Sequence, residues 1–105
     1  MKNVADQITV EDVREEHHLE ARVGQELAGR ADYIRTDRLI AFVHTEVLPA
    51  HEGQGVGSAL ARAALEHAKA LDLQILPVCP FIAGWMDRHP EYAELRYKPT
   101  SRVKD

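Results

Sequence analysis

The sequence predicts an α/β (α+β) domain, in which an antiparallel meander is followed by a strand–helix–strand unit and a short C-terminal helix. Three observations predict it. Apolar residues alternate with a period of two between residues 17 and 47, an alanine- and leucine-rich helical stretch follows three closely spaced glycines, and a short apolar run follows that stretch. At 105 residues and 45% apolar, the chain is the length of one ordinary domain with one core. The single domain is expected over 1–105, with its core between about residues 13 and 93 and a polar tail over 97–105.

The first ten residues, "MKNVADQITV", alternate poorly and read as a loose lead-in. From His17 the pattern sharpens: Leu19, Ala21 and Val23 alternate with His18, Glu20 and Arg22, which is the period of a half-buried strand. Gly24-Gln25 reads as a tight turn, because glycine accepts positive φ without steric cost. A second strand spans Glu26 to Arg35, Thr36-Asp37 turns the chain again, and "LIAFVHTEV" (39–47) is apolar enough to be a central strand. These make three antiparallel strands. Alternation along the third puts Ile40, Phe42, His44 and Glu46 on one face.

Val56 to Leu71 holds nine alanines and leucines, and Leu60, Ala64, Ala68 and Leu71 recur at helical spacing, with Arg62 and Glu66 on the polar side. "QILPVC" (74–79) is then a short buried strand that a helical crossover makes parallel to the strand before the helix. "FIAGWMDRH" (81–89) reads as a second helix ended by Pro90, with Phe81 and Trp85 as core aromatics.

Composition excludes several classes. No apolar run approaches the roughly 20 residues of a membrane helix, so no membrane partner is expected and the protein is assigned to the cytoplasm. Cys79 is the single cysteine, so no internal disulfide forms. A net charge of −4 with interspersed signs gives no basic footprint for nucleic acid. Oligomeric state is not readable in the sequence.

A strand that runs through Gly53, Gly55 and Gly57 into a helix leaves the first helical N–H groups without partners, at the positive end of the helix dipole. Such a place attracts phosphate, and glycine lets a pyrophosphate approach the backbone. Ser58 adds a hydroxyl in the first turn. The same glycines are also compatible with a plain turn. "EGQGVG" (52–57) lacks the Walker A lysine and departs from the dinucleotide fingerprint.

"HTEVLPAHEGQGVGSALARAALEHA" (44–68) followed by "LPVCPFIAGWMDRHPEY" (76–92) resembles the small single-domain N-acetyltransferase-like proteins of the GNAT superfamily, often described as the YjdJ type; the likeness covers about His17 to Tyr92. The resemblance implies a compact GNAT-like fold in which the strands before and after the long helix splay apart. It implies acetyl-CoA as cosubstrate, with its pyrophosphate held by Gly53, Gln54, Gly55, Val56, Gly57 and Ser58 and its pantetheine amides paired with the backbone of Val47 and Leu48. In the family pattern Arg/Gln-x-x-Gly-x-Gly/Ala, the first position is held here by Glu52, so backbone donors carry the binding. Pro77 suits a splay, because it has no N–H to complete a ladder. No metal is implied.

Acyl transfer to an amine needs a neutral nucleophile and a route for its proton. Glu46 is the first choice of base, or else a strand-end carboxylate satisfied by backbone N–H groups; His44 is a second base or else a hydrogen-bonded core residue. Cys79, at a position where members of the family carry cysteine, is either a nucleophile that takes the acetyl group or a core thiol. Arg88 and His89 are placed near the CoA phosphates or at a helix end that favours cations. The chain lacks the early helices that build the acceptor pocket of a full GNAT domain, which leaves the amine unspecified. The reading is therefore an acetyl-CoA-dependent N-acetyltransferase, with a non-catalytic acyl-CoA-binding or sensing module as the alternative.

Overall fold

A computed structural model describes residues 7–99. Strands β1 (Ile8–Val13), β2 (His18–Val23), β3 (Glu26–Arg35) and β4 (Leu39–Val47) pair antiparallel in succession, and β5 (Gln74–Pro77) lies parallel to β4. The sheet order is β1-β2-β3-β4-β5. The parallel last strand follows from the crossover through α1 (Val56–Ala70). The meander thus has four strands rather than three.

The additional strand is β1, which falls partly in the expected lead-in; residues 1–6 of that lead-in, and 100–105 of the expected tail, lie outside the described residues. Ile8 and Val10 pack against the core, so the core starts before residue 13. The third residue on that face is Asp12. Its carboxylate accepts the Tyr33 hydroxyl and lies 3.2 Å from His67 Nε2 of α1, so an acid occupies a slot where a sequence pattern requires an apolar residue. The two groups lie close without an aligned hydrogen bond.

Turns follow their residues. Gly24 takes φ +61° in the β2–β3 hairpin, and Thr36 Oγ1 accepts the N–H groups of Arg38 and Leu39 before β4. Helix α1 buries Leu60, Ala61, Ala64, Leu65 and Ala68 against the sheet. Leu71, expected on the same stripe, is instead the C-cap and is 42% exposed. Each buried leucine contributes about 1.5–3 kcal/mol. The alanines bring α1 close to Ala21, Ala28 and Ala31, all fully buried. Gly29 is crowded by both β4 and α1: a Cβ there would lie 2.5 Å from the Glu46 carbonyl oxygen and 3.3 Å from Leu60 Cδ1.

Helix α2 covers Pro80–Asp87, not 81–89, and Pro90 opens a 3-10 segment, Pro90–Leu95, instead of closing the helix. Proline at N1 is pre-organised for that start. Trp85 is buried, with Arg62 5.3 Å from its ring centroid and His89 stacked on it at 3.5 Å. Among the described residues, no helix is long and apolar enough to cross a membrane.

Two β-bulges set the faces of the sheet. In β3 the surplus residue is Ala28, between Leu27 opposite Arg22 and Gly29 opposite Ala21. In β4 it is Val43, between Phe42 opposite Tyr33 and His44 opposite Asp32. Ile40 and Phe42 face α1 with Tyr33, and beyond Val43 it is Thr45, opposite Ala31, that faces this way. His44 and Glu46 therefore point to the other face, against the simple alternation expected for the strand.

Candidate functional site

Helix α1 begins without a side-chain cap. Its N-cap is Gly55, at φ +90°, preceded by Gly53 at φ +79°, and nothing lies within 4 Å of where a Cβ on either would sit. The first partnered amide is that of Ala59, which donates to the Gly55 carbonyl at 3.0 Å. The N–H groups of Val56, Gly57 and Ser58 thus have no intrahelical acceptor, and they lie at the positive helix pole. Gly57 serves a different purpose: a Cβ there would meet Phe81 Cζ at 3.1 Å. Phe81, expected in the core, stays 40% exposed beside the loop.

Beneath the loop lies a residue the sequence reading passed over. His51 is only 7% exposed; its Nδ1 is 2.8 Å from Gln54 Oε1 and its Nε2 3.5 Å from Glu26 Oε2, so the ring ties the glycine loop to the start of β3. The i, i+3 spacing of His51 and Gln54 was its only signal. Glu52 is exposed and makes no ion pair among the described residues.

β4 and β5 pair only from Leu39↔Gln74 to Phe42↔Pro77, after which Cys79 donates its N–H to the Phe42 carbonyl at 2.8 Å. Beyond that point β4 runs on through Val47 with no strand on its β5 side among the described residues. Leu48 donates its N–H to the Ala28 carbonyl at 2.8 Å and accepts the His51 N–H at 2.8 Å. Both its backbone groups are engaged, which corrects the pairing of Leu48 with a ligand. By strand alternation the amides of Val47 and Thr45 point into the opening.

The three candidate catalytic side chains do not converge. Cys79 is 4% exposed and sits outside β5, as N-cap of α2; its thiol donates to Thr45 Oγ1 at 3.4 Å on the helix-covered face. His44 and Glu46 are on the open face, 3.5 Å apart, with side chains 56% and 42% exposed, so His44 is no core histidine. Glu46 Oε1 is 3.2 Å from Arg30, a partner in place of the expected backbone N–H groups. Arg30 also holds Asp32 at 2.9 Å, and next to them His18 lies 3.3 Å from Glu20. Arg22, 2.7 Å away, holds Glu20 below the usual carboxylate value. Arg88 and His89 lie at the far end of α2 from Phe81, and His89 Nδ1 is 2.7 Å from the Trp85 carbonyl.

Residues 18–95 match the family model described as GCN5-related N-acetyl-transferase. Among solved structures, the chain is similar to the NMR structure of a GCN5-like candidate N-acetyltransferase from Staphylococcus aureus, with TM-score 0.63 and 23% identity over 92% of this chain and 91% of that one. It is also similar in fold to Ard1 from Thermoplasma volcanium, with TM-score 0.52 and 19% identity over 59% of this chain and 43% of that one. No curated protein matches.

Proposed function

The chain belongs to the GCN5-related N-acetyltransferase family, and we propose that it moves an acetyl group from acetyl-CoA to an amine. Family membership supports acetyl transfer as the reaction class; cosubstrate and acceptor are our reading. The observation that carries it is the uncapped, glycine-opened start of α1 beside the end of β4 that, among the described residues, has no strand on its β5 side.

These residues fit the cosubstrate. Open space at Gly53 and Gly55 admits a pyrophosphate to the backbone, and Gln54, Val56, Gly57 and Ser58 complete the cradle. The amides of Val47 and Thr45 are free to pair with pantetheine, and a donor in the opening stabilises developing oxyanion charge. The amine nitrogen bonds to the carbonyl carbon as the carbon–sulfur bond breaks. The amine gives up a proton to Glu46 or His44, and the departing thiolate takes one. Direct attack is favoured over transfer through Cys79, because that thiol is buried against Thr45.

The test pairs a thermal shift with thiol release. Coenzyme A at a hundred times its dissociation constant adds about 2.7 kcal/mol of stability; no shift at saturation sinks the reading. With acetyl-CoA and an amine panel, Cys79→Ala keeps its activity, Glu46→Gln loses about tenfold or more, and intact mass shows no acetyl adduct on Cys79. A single adduct there would establish the covalent route instead. The engagement of Glu46 by Arg30 favours a second reading, a binding or sensing module, which a CoA shift without thiol release would select.

A further inference from the structure

The open face of the sheet holds a cavity of about 340 Å³, and we propose that it takes the acceptor, a small primary amine on an apolar stem. This rests on the acetyl-transfer reading. The cavity is lined by Glu16, Glu20, Leu27, Arg30, Glu46 and Leu48, among others.

Position is the first argument. Glu46 forms part of the cavity wall and also belongs to the stretch of β4 that faces the opening toward β5. Neighbouring strands are about 4.8 Å apart, so an amine beside Glu46 is one strand's width from that opening. The cosubstrate reaches it from the helix-covered side, where α1 begins, and the cavity lies on the other. Thr45 and Glu46 alternate as any neighbours in a strand do, and the bulge at Val43 decides that Glu46 is the one on the cavity side.

Charge and shape give the class. Three carboxylates line the cavity, Glu16, Glu20 and Glu46, against one guanidinium group, Arg30. Carboxylates thus outnumber guanidinium groups in the lining, which suits an ammonium group. Leu27, turned outward beside the Ala28 bulge, is 44% exposed, and Leu48 lies near it on the cavity wall. These two give an apolar stem its contact. The volume falls at the low end of the range for small-ligand sites, roughly 300–1,000 Å³, and favours a compact amine over a polypeptide.

The test uses hexylamine, hexanol and a short unblocked peptide as probes, titrated into the 15N-labelled protein with and without CoA and followed by amide shifts. Hexylamine is expected to move the amides of Leu27, Glu46 and Leu48 saturably, and to bind about tenfold more tightly than hexanol, which lacks the charge. Glu16→Gln and Leu27→Asp are each expected to weaken hexylamine about tenfold while the CoA thermal shift stays unchanged. The cavity assignment is overturned if hexylamine leaves those amides still, if the two variants bind it as the unaltered protein does, or if the peptide binds there more tightly. Titration without CoA keeps the two readings apart. A protein that CoA stabilises but whose cavity ignores the amine refutes only the acceptor site, whereas one that binds the amine there but not CoA upholds the cavity and refutes the cosubstrate.

Discussion

The two faces of the sheet use opposite chemistry. The face under α1 carries Ala21, Ala31, Tyr33, Ile40 and Phe42, packed without solvent, whereas the open face carries His18, Glu20, Arg30, Asp32, His44 and Glu46 in a chain of ion pairs. The first sets stability through fit, since interiors are close-packed and a missing or added methyl group is felt. In the second, the pairs among Arg30, His44 and Glu46 are solvent-exposed, where ion pairs contribute little to folding. That face is therefore free to serve recognition.

The sharpest way to break this contrast is at Gly29. Gly29→Ala places a methyl group against the main chain of β4 and is expected to cost about 3 kcal/mol or more in urea unfolding. Gly24→Ala, with open space around it but φ +61°, costs only about 1–2 kcal/mol. Leu60→Ala should lose about 3 kcal/mol, because α1 is held off by strands that cannot close the void.

Tyr33→Phe comes next, at about 1–2 kcal/mol near neutral pH. Burial first, then the hydrogen bond and charge of Asp12, pushes the Tyr33 hydroxyl from 10 up to about 12. The group is protonated in the fold, so its stabilising effect is complete below pH 10 and is lost as pH rises toward 12. The phenylalanine variant should lack that portion of the alkaline decline in melting temperature. Smallest is Arg30→Gln, expected to cost under about 1 kcal/mol and less still in 1 M salt. A loss equal to that of Leu60→Ala would erase the distinction between the faces.

Much of this arrangement is legible in the residues. Periods of two and of 3.6, with glycine and threonine at the turns, locate β2, β3, β4 and α1, and the helical crossover gives the parallel β5. β1 escapes because Asp12 occupies a core-side position, and its acceptability depends on Tyr33 and His67, far away in sequence. The bulge at Val43 leaves no mark, since neither glycine nor proline stands there, and alternation counted through it assigns His44 and Glu46 to the wrong side. The glycine loop is readable because its requirement is local. Thr45, Arg30 and His51 are not, because their roles come from partners across the sheet.

One edge of the passage between β4 and β5 is shaped by a single surplus amino acid. Remove Val43 and every pairing partner in β3 would keep its side, yet β4 would lose the bend and added twist that the bulge supplies. That edge of the doorway would straighten, while the other, where β5 stops at Pro77 and the chain leaves for α2, would stay where it is.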